Sequence, residues 1–204
     1  MPNVKVELRT LYCRKTTENG HDEVYLIVGG THGDGSHFDK LCPGGTGDAD
    51  GGQAWDFNDS GDKQDRWLRY TVYTAPLGTG RSASIHIVFM ESDGSNYGEA
   101  LQVAGQVAVA AGGNPSLATV GSLINATGLL QNRDDCLGAL DLVLQNDGGK
   151  LRWTYSFNGS HYTDHSPDIP ANPSGAPNLV CCHLRNVDGG DGDYDAYLTI
   201  TMSN

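Results

Sequence analysis

Basic residues are scarce in this chain. Its 204 residues hold 13 Lys and Arg against 25 Asp and Glu, a formal net charge of −12. Nucleic-acid phosphates demand a positive surface, so nucleic acid is not an expected partner. Cysteine is sparse and odd in number, with five and no C-x-x-C spacing. A dense disulfide framework and a thiolate zinc site are therefore not expected. No apolar run reaches the ~20 residues of a membrane-spanning helix. The familiar catalytic signatures are missing too: no G-x-S-x-G elbow, no P-loop, no H-E-x-x-H. Carboxylate pairs suit glycoside hydrolysis, but the chain is short for it and shows no aromatic-lined cleft. The expectation is a non-enzymatic protein. The opening MPNVKVELRT lacks a basic start followed by an apolar core, so no secretory leader is read from it and the localisation stays open.

Glycine, by contrast, is abundant, with 28 residues, beside a 38% hydrophobic fraction. That mixture suggests many turns in a β-rich globule, and the length suits one sizeable domain over residues 1–204. Alternation supports a strand at VKVELRTLYC, and EVYLIVGG, RWLRYTVYT, SASIHIVFMES, ALDLVL, LRWTYSFNG and YDAYLTITMS read as further strands between turn signals. Asn19-Gly20 marks a turn after the first of these, and Pro76 and Gly78 mark another. Asn146-Asp147-Gly148-Gly149 is a hairpin signal. The vicinal Cys181-Cys182 reads as a strand segment with one thiol on each face. Residues 30–65 are polar and Gly/Asp-rich, and GDADGGQAWDFNDSGDKQD within them reads as a long loop or a mobile excursion; HSPDIPANPSGAP must be loop as well. Seven or eight short strands of this kind point to a mainly β fold, an antiparallel β-sandwich.

One segment breaks the pattern. Residues 100–132 contain no charged side chain. Asn114-Pro115 has the form of an N-cap followed by proline at the first helical position. Leu117, Val120, Ile124 and Gly128 keep helical spacing after it, and Ala104, Val107, Ala108 and Ala111 keep it before. This predicts an inserted helical hairpin. The alternation in QVAGQVAVA leaves a second reading open, a β-hairpin of the membrane-inserting type.

Acidic residues gather around this insertion. Glu91-Ser92-Asp93 ends a strand before it, and Asp134-Asp135-Cys136-Leu137-Gly138 follows it. Glu18 and Asp22 flank the turn before EVYLIVGG. The pattern resembles the C2 domain, a calcium-binding β-sandwich. In that family a first loop runs from an acid through a Gly-containing turn into Ser-Asp-Pro-Tyr, which looks like Glu18, Asn19-Gly20 and His21-Asp22-Glu23-Val24-Tyr25. Another loop runs Asp-x-Asp, then Asp-x-Ile-Gly, which looks like Glu91-Ser92-Asp93 and Asp135-Cys136-Leu137-Gly138. The resemblance covers about half the chain. It departs from the family where Glu23 replaces proline, where Glu18 and Glu91 replace Asp, and where the insertion splits the second loop. It implies Asp22, Asp93 and Asp135 as leading Ca²⁺ ligands, with Glu18 and Glu91 one methylene longer. Asp134 is a neighbour in that set. Ca²⁺ takes six to eight oxygen ligands in a flexible shell, and such acids without a cation would repel one another.

Other acidic and histidine motifs are weaker. DFNDSGDKQDRW starts like an EF-hand loop, but position twelve is Trp67 and no helix pair flanks it. DGGDGDYD (Asp188, Asp191, Asp193, Asp195) occurs once and cannot stack as a repeat. His161, Asp164 and His165 lie in loop-like text and read as exposed, and His32 and His37 make no better case for a metal. The expected function is thus calcium-dependent binding, with Ca²⁺ as cofactor and a membrane phospholipid or cell-surface ligand as partner. Two alternatives stand beside it. One is a toxin or pore-forming component that inserts segment 100–132. The other is a calcium-dependent carbohydrate-binding protein using aromatics such as Trp55 or Trp67.

Overall fold

Apolar residues at every second position give the first strand a buried face, and an extra residue shifts their phase. Val4, Val6 and Leu8 are buried, then Leu11 and Cys13. They lie on β1, Asn3–Lys15. Its pairing with β10, Asp193–Ser203, slips between Leu8 and Thr10, leaving Arg9 as a bulge residue. The bulge keeps both halves of β1 facing the same way despite the break in alternation. The computed structural model describes residues 1–16, 24–42, 54–56, 70–92, 134–158, 179–185 and 192–203.

Within those residues the chain is mainly β, with two antiparallel sheets and no helix. In the first sheet β1 lies between two edges. One side pairs with β10, which pairs in turn with β9, Leu179–Arg185. The other side is shared. β5, Tyr70–Pro76, runs beside Asn3–Leu8, and β4, Ala54–Asp56, runs beside Thr10–Tyr12. The second sheet has the order β3-β2-β6-β7-β8. Its strands are β2 (Val24–Thr31), β3 (His37–Cys42), β6 (Ser82–Ser92), β7 (Asp134–Asp147) and β8 (Lys150–Asn158).

The two sheets share one hydrophobic core, a sandwich-like arrangement. Val4, Val6, Leu198 and Ile200 contribute from the first sheet, and Leu26, Val28, Ile85, Ile87, Phe89, Leu140 and Leu142 from the second. Each fully buried aliphatic side chain here contributes about 1.5–3 kcal/mol relative to exposure. The outer face of the second sheet is buried as well: Tyr25, Ile27, Val88, Met90 and Ala139 are each at most 1% exposed. That explains why EVYLIV and IHIVFM read as nearly continuous apolar runs rather than clean alternation. β7 and β8 are joined by Gly148-Gly149, with φ of 60° and 88°, the left-handed pair that a type I′ hairpin requires.

The sequence-derived strands recur at β1, β2, β5, β6, β7, β8 and β10, and Cys181-Cys182 sits within β9. Cys182 is buried. The long loop read over GDADGGQAWDFNDSGDKQD needs correction, because β4 lies inside it, and β3 is a strand in the polar stretch before it. β3 reads HFDKLC, and its charged residues masked a strand held by six ladder pairs to β2. The helical hairpin expected at 100–132 and the proline-rich loop after Asn158 lie outside the described residues.

Candidate functional site

Two of the acidic stretches flagged in the sequence, ending at Glu91-Ser92 and beginning at Asp134-Asp135, stand opposed at one end of the second sheet. β2 begins there with Val24, β6 ends with Ser92, and β7 begins with Asp134. The ladder runs Val24 to Glu91 to Asp135 across three strands, with Ser92 opposite Asp134 beside them. Asp134 and Asp135 therefore belong to the strand itself rather than to a turn before it.

A bulge produces this juxtaposition. Phe89 pairs with Gly138, but the next residue, Met90, pairs with Cys136, so Leu137 is extra. Carried on without that slip, the ladder would set Leu137 opposite Met90 and Cys136 opposite Glu91. With it, Asp135 takes that position. Because neighbouring strand residues point to opposite faces, a one-residue slip would exchange the faces of every residue beyond it.

Glu91 extends the inward-facing series Ala83, Ile85, Ile87 and Phe89, and it is 0% exposed. A carboxylate withdrawn from water to this degree costs several kcal/mol unless other charges or polar groups compensate. Like charges on directly opposed strand positions add a further penalty. For Asp134 and Asp135 the description extends to the backbone. Glu18, Asp22 and Asp93 lie outside the described residues, as do His161, Asp164, His165 and Trp67. Among the described residues no three His, Cys, Asp or Glu side chains form a metal-binding group.

A second polar pair escaped sequence reasoning. His86 and Asp141 are direct ladder partners on the outer face of the same sheet, with Nδ1 and Oδ1 2.6 Å apart. They are 2% and 9% exposed, and His86 Nε2 has no hydrogen-bond partner among the described residues. Beside them the Thr31 and Ser84 hydroxyls share a 2.7 Å hydrogen bond. The available signal was a histidine and an aspartate, each centred in a strand that is apolar on both faces. Buried polar groups of this kind occur in satisfied pairs, so one predicts the other. His32, weak as a metal ligand in the sequence, is engaged instead by the Tyr73 hydroxyl through Nδ1 at 3.2 Å.

Comparison with protein-family models, with curated proteins and with solved structures finds no match for this chain.

Proposed function

We propose that the chain is a C2-like β-sandwich module that binds Ca²⁺ and uses it to dock on an anionic membrane or cell surface. The observation that carries this reading is the ladder partnership of Glu91 with Asp135, with the Glu91 carboxylate fully buried. The donors are all carboxylate oxygens, the ligand type that hard divalent cations prefer. Residue by residue, Glu91 and Asp135 would hold the ion from the strand ends. Asp22 and Asp93 would hold it from the adjoining segments, with Glu18 and Asp134 at the margin. A bound cation would offset the repulsion among these acids and offer an open position to a phosphate oxygen. Supporting this reading, Glu91 and Asp135 are opposed at one sheet end and Glu91 is withdrawn from water. The reading is non-catalytic.

Calorimetric titration with CaCl₂ tests it, together with melting curves in calcium and in chelator. At a hundredfold excess over Kd the ion should stabilise the fold by about 2.7 kcal/mol. For a domain of this size that corresponds to a melting temperature about 5–10 °C higher. Glu91→Gln should weaken the affinity about tenfold or more while the protein remains folded. Vesicles containing phosphatidylserine should sediment the protein in calcium and release it in chelator. Absence of both binding heat and a melting shift would end the proposal.

A further inference from the structure

The opposite end of the second sheet carries a cavity of about 670 Å³. It lies between the turn that joins β2 to β3 and the turn that joins β5 to β6. His32, Asp34, Ser36, Thr74, Thr79 and Arg81 supply its polar lining, and Ala75 and Pro76 supply apolar wall. β2 separates this cavity from the Glu91–Asp135 end by seven residue steps, about 24 Å at strand rise. Its size falls in the range of small-molecule sites, roughly 300–1,000 Å³.

The lining is held in place before any ligand arrives. His32 packs in a three-ring cluster with Phe38 and Tyr73, with centroid separations of 4.7, 5.6 and 5.1 Å. A phenol is protonated at neutral pH, so the Tyr73 O–H can donate to His32 Nδ1, 3.2 Å away, and in that tautomer the ring proton sits on Nε2 as a donor. Asp34 Oδ1 accepts from both the Ser36 amide, at 2.9 Å, and the Ser36 hydroxyl, at 2.6 Å. This sets the carboxylate orientation and leaves Oδ2 outside that turn. Across the cavity the Arg81 loop is pinned by Asn146, itself fully buried. Asn146 Nδ2 donates to the Leu77 carbonyl at 2.7 Å, and its backbone bonds Gly80 and Arg81 at 2.7 and 3.1 Å. Asp34 and Arg81 are exposed, and Arg81 makes no ion pair among the described residues.

The polar groups select the ligand class. A guanidinium and an imidazole alone would suit an anion. Here a carboxylate stands in the same lining, and the whole chain is net −12, so an anion meets repulsion near and far. Hydroxyl groups both donate and accept, and a mixed set of acid, base and alcohol matches them. The His32 ring and the Ala75–Pro76 wall offer apolar contact for the C–H face of a sugar ring. We infer that this cavity is a metal-independent binding site for a neutral glycan of one or two sugar units. The site is independent of the calcium reading and stands or falls without it.

The test is a calorimetric and NMR titration of the full chain with glucose, galactose, mannose, N-acetylglucosamine, cellobiose and lactose, with inorganic phosphate as a separate arm. At least one sugar should bind with equal affinity in calcium and in chelator and should shift the His32 ring resonances. Asp34→Asn and Arg81→Ala, both at exposed positions, should each lower that affinity about tenfold or more with an unchanged melting temperature. Silence across the sugars would overturn the inference. So would sugar binding that requires calcium or that ignores both variants, and so would phosphate binding in place of sugar.

Discussion

Tyr73 is the described residue whose ionisation burial changes most visibly. Desolvation, with the Asp34 carboxylate adding to it, raises its phenol from 10.0 to about 12. A raised acid favours folding while it stays protonated. The contribution of Tyr73 is therefore complete below about pH 10, and it disappears as the pH climbs through about 12. Urea denaturation from pH 8 to 11.5 should show stability falling toward the alkaline end. In Tyr73→Phe that fall should shrink, while stability at pH 7 drops by about 1 kcal/mol for the lost His32 hydrogen bond. An alkaline decline of equal size in both proteins would place its origin elsewhere. Single residues also bound what sequence alone could disclose. Glu91 was identifiable as an acid ending a strand, because the apolar run of SASIHIVFMES stops there. That it faces inward with Ala83, Ile85, Ile87 and Phe89 and is fully buried emerges only from the structure. Its opposition to Asp135 was not legible, because a bulge residue looks like any other leucine until the pairing is known.

At the scale of elements, legibility tracked how far one strand's pattern stood alone. β1, β6 and β10 carry enough apolar residues to declare themselves. β3 does not, since His37, Asp39 and Lys40 dilute it and its stability comes from the β2 ladder. β4, at three residues, is shorter than any periodicity can register. Between β2 and β6 the approach is so close that a side chain cannot enter. A Cβ on Gly30 would stand 2.0 Å from the Ser84 carbonyl oxygen and 3.1 Å from the Phe38 ring. The first of these obstacles is backbone in the neighbouring strand, so rotamer change cannot relieve it. Gly30→Ala should destabilise the fold by about 3 kcal/mol, seen as a lower urea midpoint. A midpoint equal to that of the parent would show that the two strands can part at little cost.

The molecule as a whole is organised by contacts between residues far apart in sequence. β1 and β10 exchange eleven ladder pairs, from Asn3 with Ser203 to Lys15 with Asp193. β10 also supplies Tyr194, Ala196, Leu198 and Ile200 to the shared core. Folding must close this loop before the contacts it brings can stabilise anything, which favours rates in the millisecond-to-second range. A chain lacking residues 193–203 should show no cooperative transition by circular dichroism in urea. A sharp transition in that truncated chain would mean that the second sheet folds by itself.

The bulge at Leu137 has a consequence for how such a chain can drift over generations. The partnership of Asp135 with Glu91 is counted from the paired body of β6 and β7, not from the residues that connect them. Lengthening or shortening the connection between Ser92 and Asp134 leaves that count untouched. Adding one residue between Asp135 and Gly138 shifts it, whereas losing the bulge residue Leu137 would leave a regular ladder with the same partner. The register therefore sets no limit on the length of the intervening segment, so a lineage could rebuild that connection many times while keeping the same acid opposite Glu91.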